Sequence, residues 1–170
     1  MALRAKVTRQ SRDAVMKRLR ELVPEAEEAA AAAQEVSAKE LAEAIKARAP
    51  RDSNEYVNSI EAVRLAGRND DRKPVGIEQT KDPNAWGIVA LYIWRFIEFG
   101  TRPHAIKARK KPRLVFRIGN KVVRTAQVAH PGMKARPHIF PTYRAMRKRI
   151  RRRVAAAINK AIKARRAGDV

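Results

Sequence analysis

Three histidines, His104, His130 and His138, and one carboxylate set among aromatics, Glu98, are the residues whose types could do chemistry in this chain. Imidazole and carboxylate together can hold a metal or move a proton. The spacing builds no such site. No histidine has a second ligand at metal-binding separation, and after Glu98 the next acid is Asp169. A zinc or catalytic centre would have to recruit Glu98 from a distance. The sequence also holds no glycine-rich phosphate loop, no nucleophile elbow and no paired carboxylates placed for acid–base work. Arginine and lysine are abundant, but they bind phosphate without supplying a general base at neutral pH. A nuclease would need clustered acids to hold its metal, and the basic half lacks them. The expectation is no enzyme, no metal and no cofactor.

The charge itself is the stronger signal. The chain carries 39 Lys/Arg and 17 Asp/Glu, a net of +22. Residues 1–101 hold 17 basic and 16 acidic residues, whereas residues 102–170 hold 22 and one. So much like charge strains a compact state unless a polyanion or an acidic surface faces it. The cations alternate with apolar positions, which favours an ordered, partner-facing surface over a solvated tail. The absence of cysteine excludes disulfides and thiolate metal sites and fits a reducing cytoplasm. No run of about 18 apolar residues could span a bilayer. The start, Met1-Ala2-Leu3-Arg4, lacks the apolar core of a secretory signal. The expectation is a protein that works without meeting a membrane.

The elements that would position these residues read as one α+β domain over residues 1–170. It has a long N-terminal helix, a small antiparallel sheet with a β-hairpin, and a long basic C-terminal helix. Residues 8–48 are predicted helical. Val15, Leu19, Leu22, Ala26, Ala29, Ala33 and Val36 recur at spacings of three and four, continued by Leu41, Ile45 and Ala49. Pro24 either kinks this helix or opens a second one. Ser37 with Glu40 could form a capping box that restarts it. Residues 49–55 read as a loop, 58–66 as a strand, and 67–84 as a polar connector, either mobile or with a short strand at 75–78. Residues 86–91 read as a buried strand, within a β-rich core spanning 56–141.

Tyr92 to Phe99 is predicted to be a short helix closed by Gly100 in a left-handed conformation. Its aromatics, Tyr92, Phe96 and Phe99, are expected to pack into the core. Glu98 is expected to bond a backbone amide or an arginine, because an unpaired buried carboxylate is costly. Arg102 to Pro112 reads as a basic loop with Arg102, Lys107, Arg109, Lys110 and Lys111. Runs 113–118 and 121–126 flank Gly119-Asn120, a two-residue hairpin signal. A crossover from Ala129 to Pro141 leads to helix 142–166. That helix has an apolar stripe, Tyr143, Met146, Ile150, Val154, Ala157, Ile158 and Ile162. Its other directions are basic: Arg144, Arg147, Lys148, Arg149, Arg151, Arg152 and Arg153. These cations crowd the N-terminal half, where the helix dipole disfavours them.

Three motifs in order carry a family resemblance. The first runs from Ala49-Pro50 through Ser59-Ile60, a loop into a strand after a long helix. The second ends Phe96-Ile97-Glu98-Phe99-Gly100-Thr101. The third is His130-Pro131-Gly132, then Ala135-Arg136-Pro137-His138-Ile139-Phe140-Pro141 and a helix. Over roughly residues 40–150 this order resembles the neck and tail-completion (head–tail joining, tail-component) proteins of long-tailed bacteriophages. The chain departs from the pattern at Ser53-Asn54, where Thr-Gly is usual, and at His138, where an aromatic such as Phe is common. The resemblance implies a non-enzymatic virion subunit, made in the host cytoplasm. It would form a homo-oligomeric ring between head connector and tail tube, sixfold like the tail or, alternatively, twelvefold like the portal. On that reading Glu98, Phe99, Gly100, Thr101, His130, Pro131, Gly132, Arg136 and Pro137 are structural motif residues. Arg102, Lys107, Arg109, Lys110, Lys111, Arg144, Arg147, Lys148, Arg151, Arg152 and Arg153 would meet acidic surfaces of adjacent neck, stopper, tail-terminator or tube proteins, or packaged double-stranded DNA. The alternative is a free-standing, sequence-independent nucleic-acid-binding protein acting through its basic half.

Overall fold

Small residues set the geometry of the largest contact. In the computed structural model, which describes residues 24–52, 54–66, 72–76, 82–109 and 112–168, helix α1 runs over Pro24–Arg48. Pro24 stands in its first turn beside Glu25 and Glu27, and Lys46 and Arg48 close its last turn, both matching the helix dipole. The expected helix over residues 8–23, with Val15, Leu19 and Leu22, lies outside the described residues. The buried face of α1 is Ala26, Ala30, Ala33, Ser37, Leu41, Ala42 and Ile45, while Val36 is exposed. The four alanines and the serine let a second helix come close. That helix, α4 over Ile139–Gly168, packs along α1. It runs antiparallel, since Arg165 meets Glu25 at 3.6 Å and Arg48 donates to Thr142 at 3.4 Å.

The capping box does not form. Ser37 lies inside the continuous helix, where its hydroxyl donates to the Ala33 carbonyl at 2.7 Å. Glu40 instead reaches α4, accepting from Arg149 and Arg153 at 2.8 Å each.

Against α1 lies a three-stranded antiparallel sheet in the order β1–β3–β2, with β1 Glu61–Arg64, β2 Lys73–Pro74 and β3 Trp86–Ala90. Central β3 is the apolar run, and Ile88, Val89 and Ala90 are buried. The expected strand 58–66 is shorter because Asn54–Ser59 forms helix α2. Ser59 ends that turn by donating to the Tyr56 carbonyl at 2.6 Å and accepting from the Leu91 amide at 3.1 Å. The second short strand falls at Lys73–Pro74 rather than 75–78, and the Val75 amide then bonds the Ile88 carbonyl. The core joins Leu41 and Ile45 of α1, Tyr56 and Val57 of α2, Ile60, Ile88 and Ala90, Trp94, and Ile139 at the start of α4.

Helix α3, Trp94–Phe99, follows the sheet. Beyond it the chain leaves the core. The expected loop 102–112 is in part a strand: β4 (His104–Lys107) pairs with β7 (Gln127–His130), His104 opposite His130. The hairpin β5 (Leu114–Ile118) and β6 (Lys121–Thr125) sits between them, turning at Gly119 with φ +57°. Together these form a two-stranded arm. No described residue from Arg102 to Pro137 is buried.

Candidate assembly interface

Glu98 holds the arm's base to the last helix. Its side chain is almost fully buried and accepts from the backbone amides of His138, Ile139 and Phe140 at 2.7, 2.9 and 3.0 Å. These are donors that a helix N-terminus otherwise leaves unpaired, and the carboxylate's charge meets the positive end of the α4 dipole. The expected amide partner is therefore found, from an element forty residues away in sequence. α4 consequently starts at Ile139, three residues before the position expected, with Pro141 in its first turn.

The His138 ring completes the joint. Its Nδ1 is 2.9 Å from the Arg136 carbonyl and 3.3 Å from Glu98, and its Nε2 is 2.7 Å from the Tyr56 hydroxyl. A carbonyl can only accept, so Nδ1 carries the proton and Nε2 accepts from Tyr56. Burial, together with the negative Glu98, pushes the Tyr56 phenol well above its ordinary value. The carboxylate, the imidazole and the phenol each find a partner inside the protein, and the ring and carboxylate are closed to solvent. The cluster fastens the arm's base to the start of α4.

Two glycines bring the second and third motifs face to face. Thr101 and Met133 exchange backbone hydrogen bonds at 2.9 and 3.1 Å, and the Arg136 amide donates to Ile97 at 2.7 Å. Gly100 has φ 72° and ψ −179°, so its positive φ is as expected but its ψ is extended rather than left-handed helical. A Cβ there would lie 2.6 Å from the Met133 carbonyl oxygen. At Gly132, φ +86°, it would lie 2.3 Å from that of Thr101. Either side chain would push the bridge apart. His130 accepts from the Gly132 amide at 3.0 Å, holding the turn, with exposed Pro131 between them. Pro137 is exposed just ahead of the joint.

The aromatics do not pack as expected. Trp94 and Glu98, one turn apart, take the inward face of α3. Tyr92, Phe96 and Phe99, at spacings of four and three, are turned to the other side. Phe99 is 64% exposed, and Tyr92, Phe96 and their neighbour Ile93 are also exposed. The Tyr92 and Phe96 rings meet edge-on at 5.5 Å, and Phe99 leans on Phe140 at 5.8 Å. The result is an aromatic plate at the root of the arm. A six-residue helix has one inward stripe, and periodicity alone did not reveal which side that was.

The basic residues divide in two. Arg149 and the half-buried Arg153 are tied to Glu40, and Arg153 also reaches Ser37 at 3.3 Å. Arg144, Arg147, Lys148, Arg151 and Arg152 recur at spacings of three, one, three and one, which aligns them on one exposed stripe of α4. None of the five has an ion-pair partner among the described residues; Arg144 donates to the Phe140 carbonyl at 3.3 Å. The opposite stripe, with Met146, Ile150, Val154, Ala157, Ile158 and Ile162, is half-buried as expected, except that Tyr143 is exposed. On the arm, Arg102, Lys107 and Arg109 are exposed, and Lys110 and Lys111 lie outside the described residues.

Two of the histidines do meet: His104 and His130 stack across β4 and β7 with ring centroids 5.1 Å apart. Each Nδ1 is taken by a local backbone group, and among the described residues no group of three metal-ligating side chains occurs. Among them, too, no helix is long and apolar enough to cross a membrane.

An α+β scaffold with a sealed joint, an exposed aromatic plate and a projecting basic arm has the features of an assembly subunit. The sequence matches, over residues 13–100, the family described as "Bacteriophage HK97-gp10, putative tail-component", and the chain belongs to that family. The match takes in the first motif and the second as far as Gly100, so Thr101, the third motif and the arm lie beyond it. No curated protein and no solved structure gives a significant match. That description is consistent with a structural tail protein of a bacteriophage virion.

Proposed function

We propose that the chain is a structural, non-enzymatic subunit that forms a closed ring at the phage neck. There it completes the tail and joins it to the head connector. One observation carries this reading within the tail-component family: 36 consecutive positions, 102–137, hold no described buried residue, yet they form ordered strands. Isolated two-stranded hairpins are marginal in water, so such an arm gains its stability from a neighbour. Contacts that repeat head to tail close into a ring when the rotation allows. Residues 1–170 act as one α+β domain, the ring is a hexamer with a dodecamer as the alternative, and synthesis takes place in the host cytoplasm. Arg102, Lys107, Arg109, Lys110 and Lys111 meet acidic surfaces of adjoining stopper, tail-terminator or tube proteins, which sets register and speeds assembly.

A second reading has its own support. The five-cation stripe Arg144, Arg147, Lys148, Arg151 and Arg152 suits the phosphate backbone of double-stranded DNA, bound without regard to sequence. A chain at +22 carries positive charge that a polyanion would offset. The test is the mass of the purified chain by light scattering, at low and high salt, with and without a short duplex. A ring-sized oligomer without DNA supports the neck reading. A monomer that binds the duplex tightly, with affinity falling steeply as salt rises, supports the second reading against it.

A further inference from the structure

Helix α4 carries eleven Lys/Arg and no acid over residues 139–168, yet its cations are not equivalent. Glu40 of α1 accepts from Arg149 and Arg153 at 2.8 Å each. The Arg153 hydrogen bond and the two positive charges hold the Glu40 carboxyl below its usual value, outweighing partial burial, so it is ionised at neutral pH. Arg149 and Arg153, one turn apart, therefore belong to the α1 side of the helix. Arg144, Arg147, Lys148, Arg151 and Arg152 keep the outer face, with no ion-pair partner among the described residues.

The chemistry of that outer face selects its partner. From 144 to 155 the other exposed positions are Ala145, Arg149 and Ala155. The face thus has no large apolar side chain to anchor a protein interface, and no ring on which an unpaired base could stack. Tyr143, just ahead of it, borders the apolar groove beside α1 and β3 instead. The five cations span eight residue steps, about 12 Å of helix. That is one charge per roughly 2.4 Å, between the ~3.4 Å of one strand of a duplex and the ~1.7 Å of both strands together. The backbone amides at the helix start are taken by Glu98, so contact with phosphate falls to the side chains.

Resting on the DNA reading of this helix, we propose that the outer face of α4 is a five-point track for the phosphate backbone of duplex DNA, and that Glu40 sets its width by withholding Arg149 and Arg153. Each cation on the track then contributes about 0.9 to the slope of log affinity against log salt, and the withheld pair contributes nothing.

The chain at +22 attracts any polyanion at many points, so the test compares matched full-length variants. Fluorescence anisotropy with a short duplex of mixed sequence, over a series of salt concentrations, gives the slope for each. Circular dichroism checks that each folds. Arg151→Gln/Arg152→Gln is expected to flatten the slope by about two units. Arg149→Gln/Arg153→Gln, with the same two charges removed from neighbouring positions, is expected to leave it nearly unchanged. Glu40→Gln is expected to steepen it and tighten binding, because it releases the held pair. Equal flattening by the two arginine pairs would mean diffuse attraction, and would overturn the track while the DNA reading stands. Tighter binding of the wild type to polyglutamate, or to a single strand of the same length, would overturn the duplex as partner. A wild type that ignores the duplex at physiological salt would remove the DNA reading itself, and the track with it.

Discussion

The Glu98 joint and the β4–β7 arm are joined through the Thr101–Met133 bridge, yet they are built on opposite terms. In the joint, a carboxylate, an imidazole and a phenol are buried and each finds its partner within the chain. In the arm, valines and isoleucines stand in solvent beside arginines with no ion-pair partner among the described residues. The contrast separates two jobs. A buried carboxylate is tolerated only where it contributes to the fold. A ribbon with no buried residue among those described adds little to the core, and on the reading proposed above its role is to meet a neighbour.

Substitutions in the joint should therefore act on stability, and those in the arm or α4 stripe on assembly. The largest loss is expected for Glu98→Ala, which leaves three buried amides without an acceptor. Urea unfolding should show a drop of about 3–5 kcal/mol. A drop below about 1 kcal/mol would mean that water reaches the joint. Gly132→Ala comes next, at about 1–3 kcal/mol, because the residue has positive φ and its Cβ would strike the Thr101 carbonyl. Tyr56→Phe removes the donor to His138 Nε2 and should cost about 1–3 kcal/mol near neutral pH.

Tyr56 also gives a pH signature. Its folded pKa is raised above the ordinary 10.0, so the neutral phenol is favoured in the folded state. The stability linked to that shift is complete below pH 10 and declines as pH rises beyond it, by at most about 1.4 kcal/mol per unit. The wild-type minus Tyr56→Phe difference, measured by chemical unfolding across pH 8–11, should shrink only at the alkaline end. A constant difference would contradict a buried neutral phenol. The smallest effect on stability is expected for Arg151→Gln/Arg152→Gln, within about 0.5 kcal/mol of wild type. Tail joining or duplex binding should nevertheless fall. Normal particle yields and unchanged DNA binding would remove the stripe from the functional surface.

How much of this the sequence revealed follows the same division. Regular periods were legible: the α1 face at Ala26, Ala33, Leu41 and Ile45 though not at Val36, the α4 stripe apart from Tyr143, the β5–β6 hairpin with its Gly119-Asn120 turn, and the apolar run of β3. Glu98 was legible as a group needing a partner, since a carboxylate among aromatics must be matched. Features set by distant contact were not. His104-Ala105-Ile106-Lys107 has no alternation strong enough to mark a strand, and it becomes one by pairing with Gln127–His130. Asn54–Ser59 was hidden by its turn formers, although Asn followed by Glu is also a helix-start signal. The plate was missed because aromatics at helical spacing suit a core or an interface equally. Arg153 looked like its neighbours until Glu40 claimed it.

The most direct measurement is electron cryomicroscopy of intact tails, with this chain located in the density. The expected image is a closed ring of this chain at the head-proximal end, with each β4–β7 arm held against a neighbouring subunit. Density along the tube or at the distal tip, or isolated copies with free arms, would contradict a neck ring.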